Sequence, residues 1–144
     1  MYGLKVVNGD IAVMGDGNVK QVVGRERLIQ ELSHWLIEPM GTDSIYEKFG
    51  SKLWDSVGDP MIDESIDDVR MEVSRVVTNY MAYQSRKMKE DLAISSDRFL
   101  KNWADDEIID SIDAIDVSAV ADTLYVTVKL TTADGSQVVI QQQS

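Results

Sequence analysis

From Met61 to Asp134 the chain contains neither glycine nor proline, whereas eight of its nine glycines and both prolines lie at or before residue 60. Glycine and proline are the strongest local punctuators of a fold. The first 60 residues are therefore expected to be turns and short elements, and the middle of the chain to be built from long ones. The ninth glycine follows Asp134 and separates two strand-like runs, "LYVTVKLTT" and "QVVIQQQ". Val126, Val128 and Leu130 alternate with Thr127 and Lys129, as in a half-buried strand. An isolated two-stranded hairpin is at best marginally stable in water, so this one needs a neighbour.

The nearest candidate is "EIIDSIDAIDVSAV", Glu107 to Val120, and its pattern is ambiguous. Ile109, Ile112 and Ile115 are spaced three apart, as on a helix, while Asp113, Ile115 and Val117 read as one face of a strand with period two. The isoleucine and valine content favours a strand from about Ile112. The expectation is a three-stranded antiparallel meander over about 112–118, 124–131 and 137–142. Its last edge, Gln137–Gln142, is left without a visible partner, unless the N-terminal hairpin pairs with it.

At the other end, "LKVVNGDIAVM" places Asn8-Gly9 between two apolar runs, the strongest short-range hairpin signal. Strands are expected at about 4–7 and 10–14. "GDGN" at 15–18 resembles a fragment of a calcium loop without its closing glutamate, and reads as a turn. Leu28, Ile29, Leu32, Trp35 and Leu36 share one face of a helix from Arg25 to Ile37, ended by Pro39 and Gly41. Leu53, Trp54 and Val57, within 49–60, read as a short helical turn that caps the core. Ser65 is expected to open the longest helix, through a capping box "SIDD". Its stripe of Ile66, Val69, Val73, Val76, Val77, Tyr80, Met81 and Met88 runs to about Lys89. Four of these residues are valines, poor helix formers, so packing must hold the helix. Arg86, Lys87 and Lys89 suit the negative end of its dipole. Ser95 and Ser96 are expected to cap a short helix through Phe99, Leu100 and Trp103. The fold class is α+β, in a single domain over 1–144: an N-terminal β-hairpin, amphipathic helices including one long helix, and a C-terminal three-stranded antiparallel meander.

Composition narrows the functions. Twenty-five acids against fourteen bases give a net charge of −11, which disfavours nucleic acid and anionic membranes as partners. Seven acids and no base lie between Asp105 and Asp122. With no cysteine, there is no disulfide framework and no thiolate metal site. No apolar run approaches a membrane span, and the first residues lack the pattern of a signal peptide. A soluble protein of the cytoplasm is expected, at least until assembly. No motif with a catalytic mechanism is present, and neither a cofactor nor a small-molecule substrate is expected. His34, the one histidine, sits beside the helical face rather than in a cluster. A glycosidase pair of Glu38 with Asp43 or Glu47, beside Trp35 and Tyr46, is the natural enzymatic alternative, and the carboxylate separation would decide its mechanism.

Residues 18–54 carry a further pattern. Gly24 precedes the first helix, Gln30 lies within it, Gly41 follows it, and an aromatic–Gly–x–x–Leu unit stands at Phe49-Gly50-Ser51-Lys52-Leu53. In this order, followed by a long helix and closing strands, these signals resemble the baseplate wedge and tail-sheath initiator family of contractile phage tails. The resemblance spans roughly residues 8–140. Thr42 departs from the family's frequent glutamate. Gln84-Ser85-Arg86 follows Tyr83 where many members carry Glu-Pro-Arg, which argues against the secretion-system branch and leaves Arg86 as the surviving anchor. Residues 90–107 are longer than the usual link.

The resemblance implies a structural virion protein of the tail baseplate, assembled in the host cytoplasm. Its partners would be the wedge proteins, the tail sheath protein, and tube or hub proteins. It would dock on the wedge through helices, here with Tyr80, Tyr83 and Arg86. It would template the first sheath ring by strand addition to its C-terminal sheet, here with Lys129, Gln137, Val138, Val139, Ile140 and Gln141. Some members carry a lysozyme-like name, which nothing in these residues supports independently.

Overall fold

The structure, a computed structural model, describes residues 3–7, 10–11, 21–40, 50–53, 63–94, 103–120 and 123–143. Its elements in chain order are β1 (Gly3–Leu4), β2 (Val6–Val7), β3 (Asp10–Ile11), β4 (Gln21–Val22), α1 (Gly24–Ile37), α2 (Asp63–Ile94), β5 (Ile109–Val120), β6 (Thr123–Thr132) and β7 (Gln137–Gln143). The α+β class and the closing meander stand as expected.

β2 pairs antiparallel with β3, with Val6 opposite Ile11 and Val7 opposite Asp10; the expected turn residues Asn8 and Gly9 lie outside the described residues. A pairing invisible in the sequence joins Gly3–Leu4 to Gln21–Val22. Strands two residues long carry no periodicity to read. Gln30 fastens this segment to α1: its Nε2 donates to Leu4 O at 2.6 Å and its Oε1 accepts from Val6 N at 2.9 Å. One side-chain amide thus stands in for a strand neighbour. Residues 12–20, with the end of the second expected strand and the "GDGN" turn, lie outside the described residues, as do 41–49, 54–60 and 95–102. The expected turn through Trp54 and Val57 falls there, as does the expected short helix up to its last residue, Trp103, which is described and is a buried residue outside any helix.

α1 spans the expected residues and begins one earlier, at Gly24, whose φ of +61° only glycine adopts without strain. A Cβ there would lie 2.8 Å from Asp106 Oδ1. α1 ends where Glu38, extended at φ −67° and ψ 134°, precedes Pro39, as the steric demand of proline requires. Segment 50–53 then closes on this end. Ser51 N donates to Glu38 O at 2.7 Å, and Met40 N to Ser51 O at 2.9 Å. Ser51 Oγ donates to Leu36 O at 2.6 Å. Arg75 Nη2 on α2 donates to Gly50 O at 3.2 Å, and Glu72 Oε1 accepts from Lys52 N at 2.7 Å. Burial pushes the Glu72 carboxyl up, but the Arg75 hydrogen bond, the Lys52 N–H and the two cations outweigh it, so its pKa is lowered. The glycine–x–x–leucine unit is therefore a clip between the two helices.

α2 is longer than its sequence pattern at both ends. It starts at Asp63, so Ser65 lies in the first turn rather than at the cap. It runs to Ile94 with no base in its last turn, so Arg86, Lys87 and Lys89 sit inside the helix rather than at its dipole end. Its stripe is confirmed: Val69, Val73, Val76, Val77 and Tyr80 are buried. They meet Leu28, Leu32, Trp35 and Leu36 of α1, Leu53, and the inner face of the sheet. Each such buried side chain contributes on the order of 1.5–3 kcal/mol relative to exposure, which explains how a valine-rich helix persists.

The three strands run antiparallel in the order β5-β6-β7. Both helices cover one face, with α1 against β7 and α2 against β5. β5 resolves the isoleucine ambiguity. Its register with β6 shifts by one residue between Ile109 and Ser111 and again between Ile112 and Ala114. Each bulge adds one residue to a period of two, so residues three apart still face the same way. Ile109, Ile112 and Ile115 lie opposite Thr132, Leu130 and Val128 on the inner face. Asp113, expected to share a face with Ile115 and Val117, is instead a bulge residue and is exposed.

The β6–β7 turn closes with Gly135 at φ +83°, and with Gly135 N donating to Thr132 O and Thr132 N to Ser136 O, both at 2.9 Å. This is the three-residue hairpin loop with a glycine bulge. Hydrogen bonds from the Ser136 hydroxyl, the Thr132 hydroxyl and Ser136 N to Asp134 lower its carboxyl from 3.8 to about 2. The folded value is the lower one, so Asp134 stabilises the turn above its ordinary pKa, and that contribution is lost as pH falls from 3.8 toward 2. A carbon-detected NMR titration should find the Asp134 midpoint near 2. Ser136→Ala should move it up toward 3.8; an unchanged midpoint would contradict the hydrogen-bond cause.

Candidate functional site

The sheet has two edges, and they are built differently. β5 carries two bulges and the exposed Asp110, Asp113 and Asp116. Bulges and charges are the ordinary means of blunting an edge against further pairing. β7 pairs with β6 without a register shift from Gln137 to Gln143 and carries no charge. Among the described residues no strand pairs with its outer side, and the N-terminal strands form separate two-stranded sheets.

Which groups β7 offers follows from the alternation of antiparallel ladders. Thr132 N donates to Ser136 O, so that pair is hydrogen-bonded, and so are 130/138, 128/140 and 126/142 in the observed register. The intervening residues Gln137, Val139, Gln141 and Gln143 turn their N–H and C=O groups away from β6. Their side chains point to the outer face and are exposed, with Val139 at 42%. Val138 and Ile140, expected among the sheath-facing residues, instead point into the core at 2% and 1% exposure and bond to β6. They contribute no side chain to a partner. Gln143 is the edge residue that sequence reasoning missed; the period-two alternation was its signal. Lys129 is half-buried on the outer face, opposite Val139.

The helix residues expected to meet a wedge are similarly divided. Tyr80 is 1% exposed, packs edge-on against Trp35 at 5.4 Å, and donates its hydroxyl to Glu31 Oε2 at 2.7 Å. Burial, and then the negative charge of Glu31, push this phenol well above its ordinary pKa. Tyr80 is a core residue and cannot contact a partner. Tyr83 is half-buried, stacked on Tyr80 at 6.0 Å, with Lys87 5.9 Å from its ring. Arg86 is exposed.

Sequence reasoning also missed a buried polar network. Arg27 on α1 reaches Glu31 at 3.0 Å and Glu107 at 3.4 Å, and its guanidinium lies 4.4 Å from the Trp103 ring centre. Glu107 Oε1 accepts from Ala104 N at 2.9 Å. Gln84 on α2 donates to Glu107 O at 2.7 Å and accepts from Ile109 N at 3.1 Å. Burial raises the Glu107 carboxyl above its usual range, against the opposing effect of Ala104 N–H and Arg27. The arrangement ties the turn before β5 to both helices. Arg27, Gln84 and Glu107 are buried, so the network reads as structural.

For catalysis, Glu38 lies on the surface with its Oε1 3.1 Å from His34 Nε2; Glu47, Asp43 and Tyr46 lie outside the described residues. Trp35 is buried in the core rather than set beside a sugar site. Among the described residues no three His, Asp or Glu side chains converge as a metal site requires. One apolar pocket of about 140 Å³ is lined by Leu36 and Ile37 at the end of α1, by Leu53, and by Leu124, Val126, Gln142 and Gln143 of the sheet. It adjoins the last residues of the open β7 edge.

No protein-family model matches the chain, and no curated protein matches it. Among solved structures, the 1.44 Å crystal structure of a "putative tail lysozyme" from Geobacter sulfurreducens is similar, with a TM-score of 0.52 and 14% identity. The match covers 83% of this chain and 87% of that one. At that identity the likeness is one of fold, and this chain shares the α+β fold of a protein named for a tail.

Proposed function

We propose that this chain is a structural component of a contractile phage tail baseplate, assembled in the host cytoplasm. It nucleates the sheath by accepting a strand at β7 and docks on the wedge through α2. The observation that carries this reading is the contrast between the sheet's edges: bulges and aspartates defend β5, while β7 is regular and uncharged. Strand addition uses main-chain hydrogen bonds for affinity, and Gln137, Val139, Gln141 and Gln143 are placed to make them. The fold shared with a protein named for a tail supports the setting. Tyr83 and Arg86 remain the wedge-facing residues of the proposal; Tyr80 does not.

Val139→Pro tests it. Its N–H faces outward, so proline there removes a donor from the open edge, whereas proline at Val138 or Ile140 would remove a ladder bond to β6. The variant is expected to fold as a monomer and to fail to nucleate sheath polymerisation in vitro. Normal polymerisation by a folded Val139→Pro would refute strand templating.

The neighbour's name favours a second reading, a muralytic glycosidase using Glu38 or Glu47. A cell-wall release assay with the purified chain, Glu38→Gln and Glu47→Gln separates the two. No release is expected. Release by the parent chain that vanishes in either variant would replace the structural reading.

A further inference from the structure

The strand that β7 accepts is constrained by more than backbone bonds. On α1, Glu31 and Trp35 face Tyr80 of α2, and Leu28, Leu32 and Leu36 face the core. At 100° per residue the next row round is Ile29, Ser33 and Ile37, on the flank away from α2. Because α1 lies over β7 and α2 over β5, this flank overhangs the space beside the open edge. The N-terminal segment docks on α1 through Glu26 and Gln30, near its first half. Ile37, 45% exposed, marks the second half and lines the pocket with Leu36, Leu53, Leu124, Val126, Gln142 and Gln143.

A strand added to β7 continues the inward–outward alternation of the sheet. The incoming residue directly opposite Gln142 has its side chain on the inner face. That position is a non-hydrogen-bonded pair, in which side chains approach most closely. Gln142 itself lines the pocket, together with its neighbour Gln143. It is uncharged, and at about 140 Å³ it is comparable to an apolar cavity of ~150 Å³ that accepts a benzene molecule.

We infer that the occupant of this edge is an extended, amphipathic segment of the sheath subunit, carrying one leucine, methionine or phenylalanine opposite Gln142 that fills the pocket under the end of α1. The inference rests on the strand-templating reading and adds the anchor. The extended backbone is demanded by the outward groups of β7, and the apolar anchor by the uncharged lining. A charged side chain entering this pocket would lose its hydration without gaining a partner. Inward apolar side chains at alternate positions give the contact specificity beyond its backbone bonds.

The experiment measures binding of purified sheath subunit to the full chain, with thermal melting of every variant as a folding control. Ile37→Asp and Gln143→Asp place a charge at the pocket rim, on positions exposed enough to leave the fold intact. Each is expected to weaken binding about tenfold or more, as loss of an interface anchor does. Val139→Pro is expected to abolish binding, and Val120→Asp, at the blunted β5 edge, to leave it unchanged. If Val139→Pro abolishes binding while neither rim variant weakens it, the anchor is refuted and strand templating stands. Full binding by Val139→Pro would overturn both. Sedimentation equilibrium of the chain alone should show a monomer; a dimer that Val139→Pro dissociates would make a second copy the occupant and overturn the inference.

Discussion

Gly50→Ala is expected to lower the unfolding free energy by about 3 kcal/mol or more, through backbone strain and collision together. Gly50 sits at φ +92°, a conformation that L side chains rarely adopt. A Cβ at this position would lie 2.6 Å from Glu38 O and 2.8 Å from Pro39 O. Both obstacles are backbone and cannot rotate aside. Relief would require the clip to open, with loss of the Ser51–Glu38, Met40–Ser51 and Arg75–Gly50 hydrogen bonds that hold the end of α1 to α2. At roughly 2–4 °C per kcal/mol for a chain of about this size, the midpoint should fall by about 10 °C. Circular dichroism melting of the variant measures it; a shift below about 2 °C would mean that the clip does not constrain the helices. Gly135→Ala, also at positive φ but with open space around it, should cost less.

Arg27→Ala is expected to cost about 3–5 kcal/mol at neutral pH, the range for removing one member of a buried ion pair. The guanidinium offsets the charge of Glu107, whose side chain is 2% exposed, and also pairs with Glu31. Without it, the Glu107 carboxylate keeps Ala104 N–H as a hydrogen-bond donor but loses its countercharge. The pH dependence distinguishes this cause from lost packing. Burial already raises Glu107, and removal of Arg27 would raise it further. A folded pKa above the unfolded one means that the native state takes up the proton first, so the variant regains stability as pH falls toward the unfolded value. Urea unfolding at pH 7 and about pH 5 should show the deficit shrinking in acid. A deficit that is the same at both pH values would assign the effect to the space left over Trp103 rather than to charge.

These two sites show what the sequence could and could not disclose. Gly24, Gln30 and the Gly50–Leu53 unit stood out as a pattern, and the structure supplies the reason for each: a helix start crowded by Asp106, an amide that mimics a strand neighbour, and a clip between helices. α1 and the meander were legible because apolar periodicity reports directly which face is buried. The ends of α2 were not, because Asp63 and Ile94 lie beyond its apolar stripe. The Ile109–Ile112–Ile115 spacing was legible only as an ambiguity, since a strand with a bulge after each of the first two isoleucines and a helix both put residues three apart on one face. Tyr80 was misplaced for a related reason. Its position in a helical stripe was plain, but whether that stripe met the core or a partner depended on where α1 lay. Arg27, Gln84 and Glu107 escaped entirely, because a polar residue in the core is defined by partners distant in the chain. For the β7 edge, the absence of charge was readable, and the register that aims Val139 outward and Ile140 inward was not.

The direct test of strand acceptance is amide hydrogen exchange on the chain with and without purified sheath subunit. Val139, Gln141 and Gln143 turn their N–H groups outward, and these amides should exchange freely in the isolated chain and become protected in the complex. Val138 and Ile140, already bonded to β6, should change little. Protection that instead appears along β5, at Val117 and Ala119, which lie opposite Val126 and Leu124 and turn their N–H groups away from β6, or a complex that leaves Val139 and Gln141 exchanging freely, would contradict the assignment of β7 as the accepting edge.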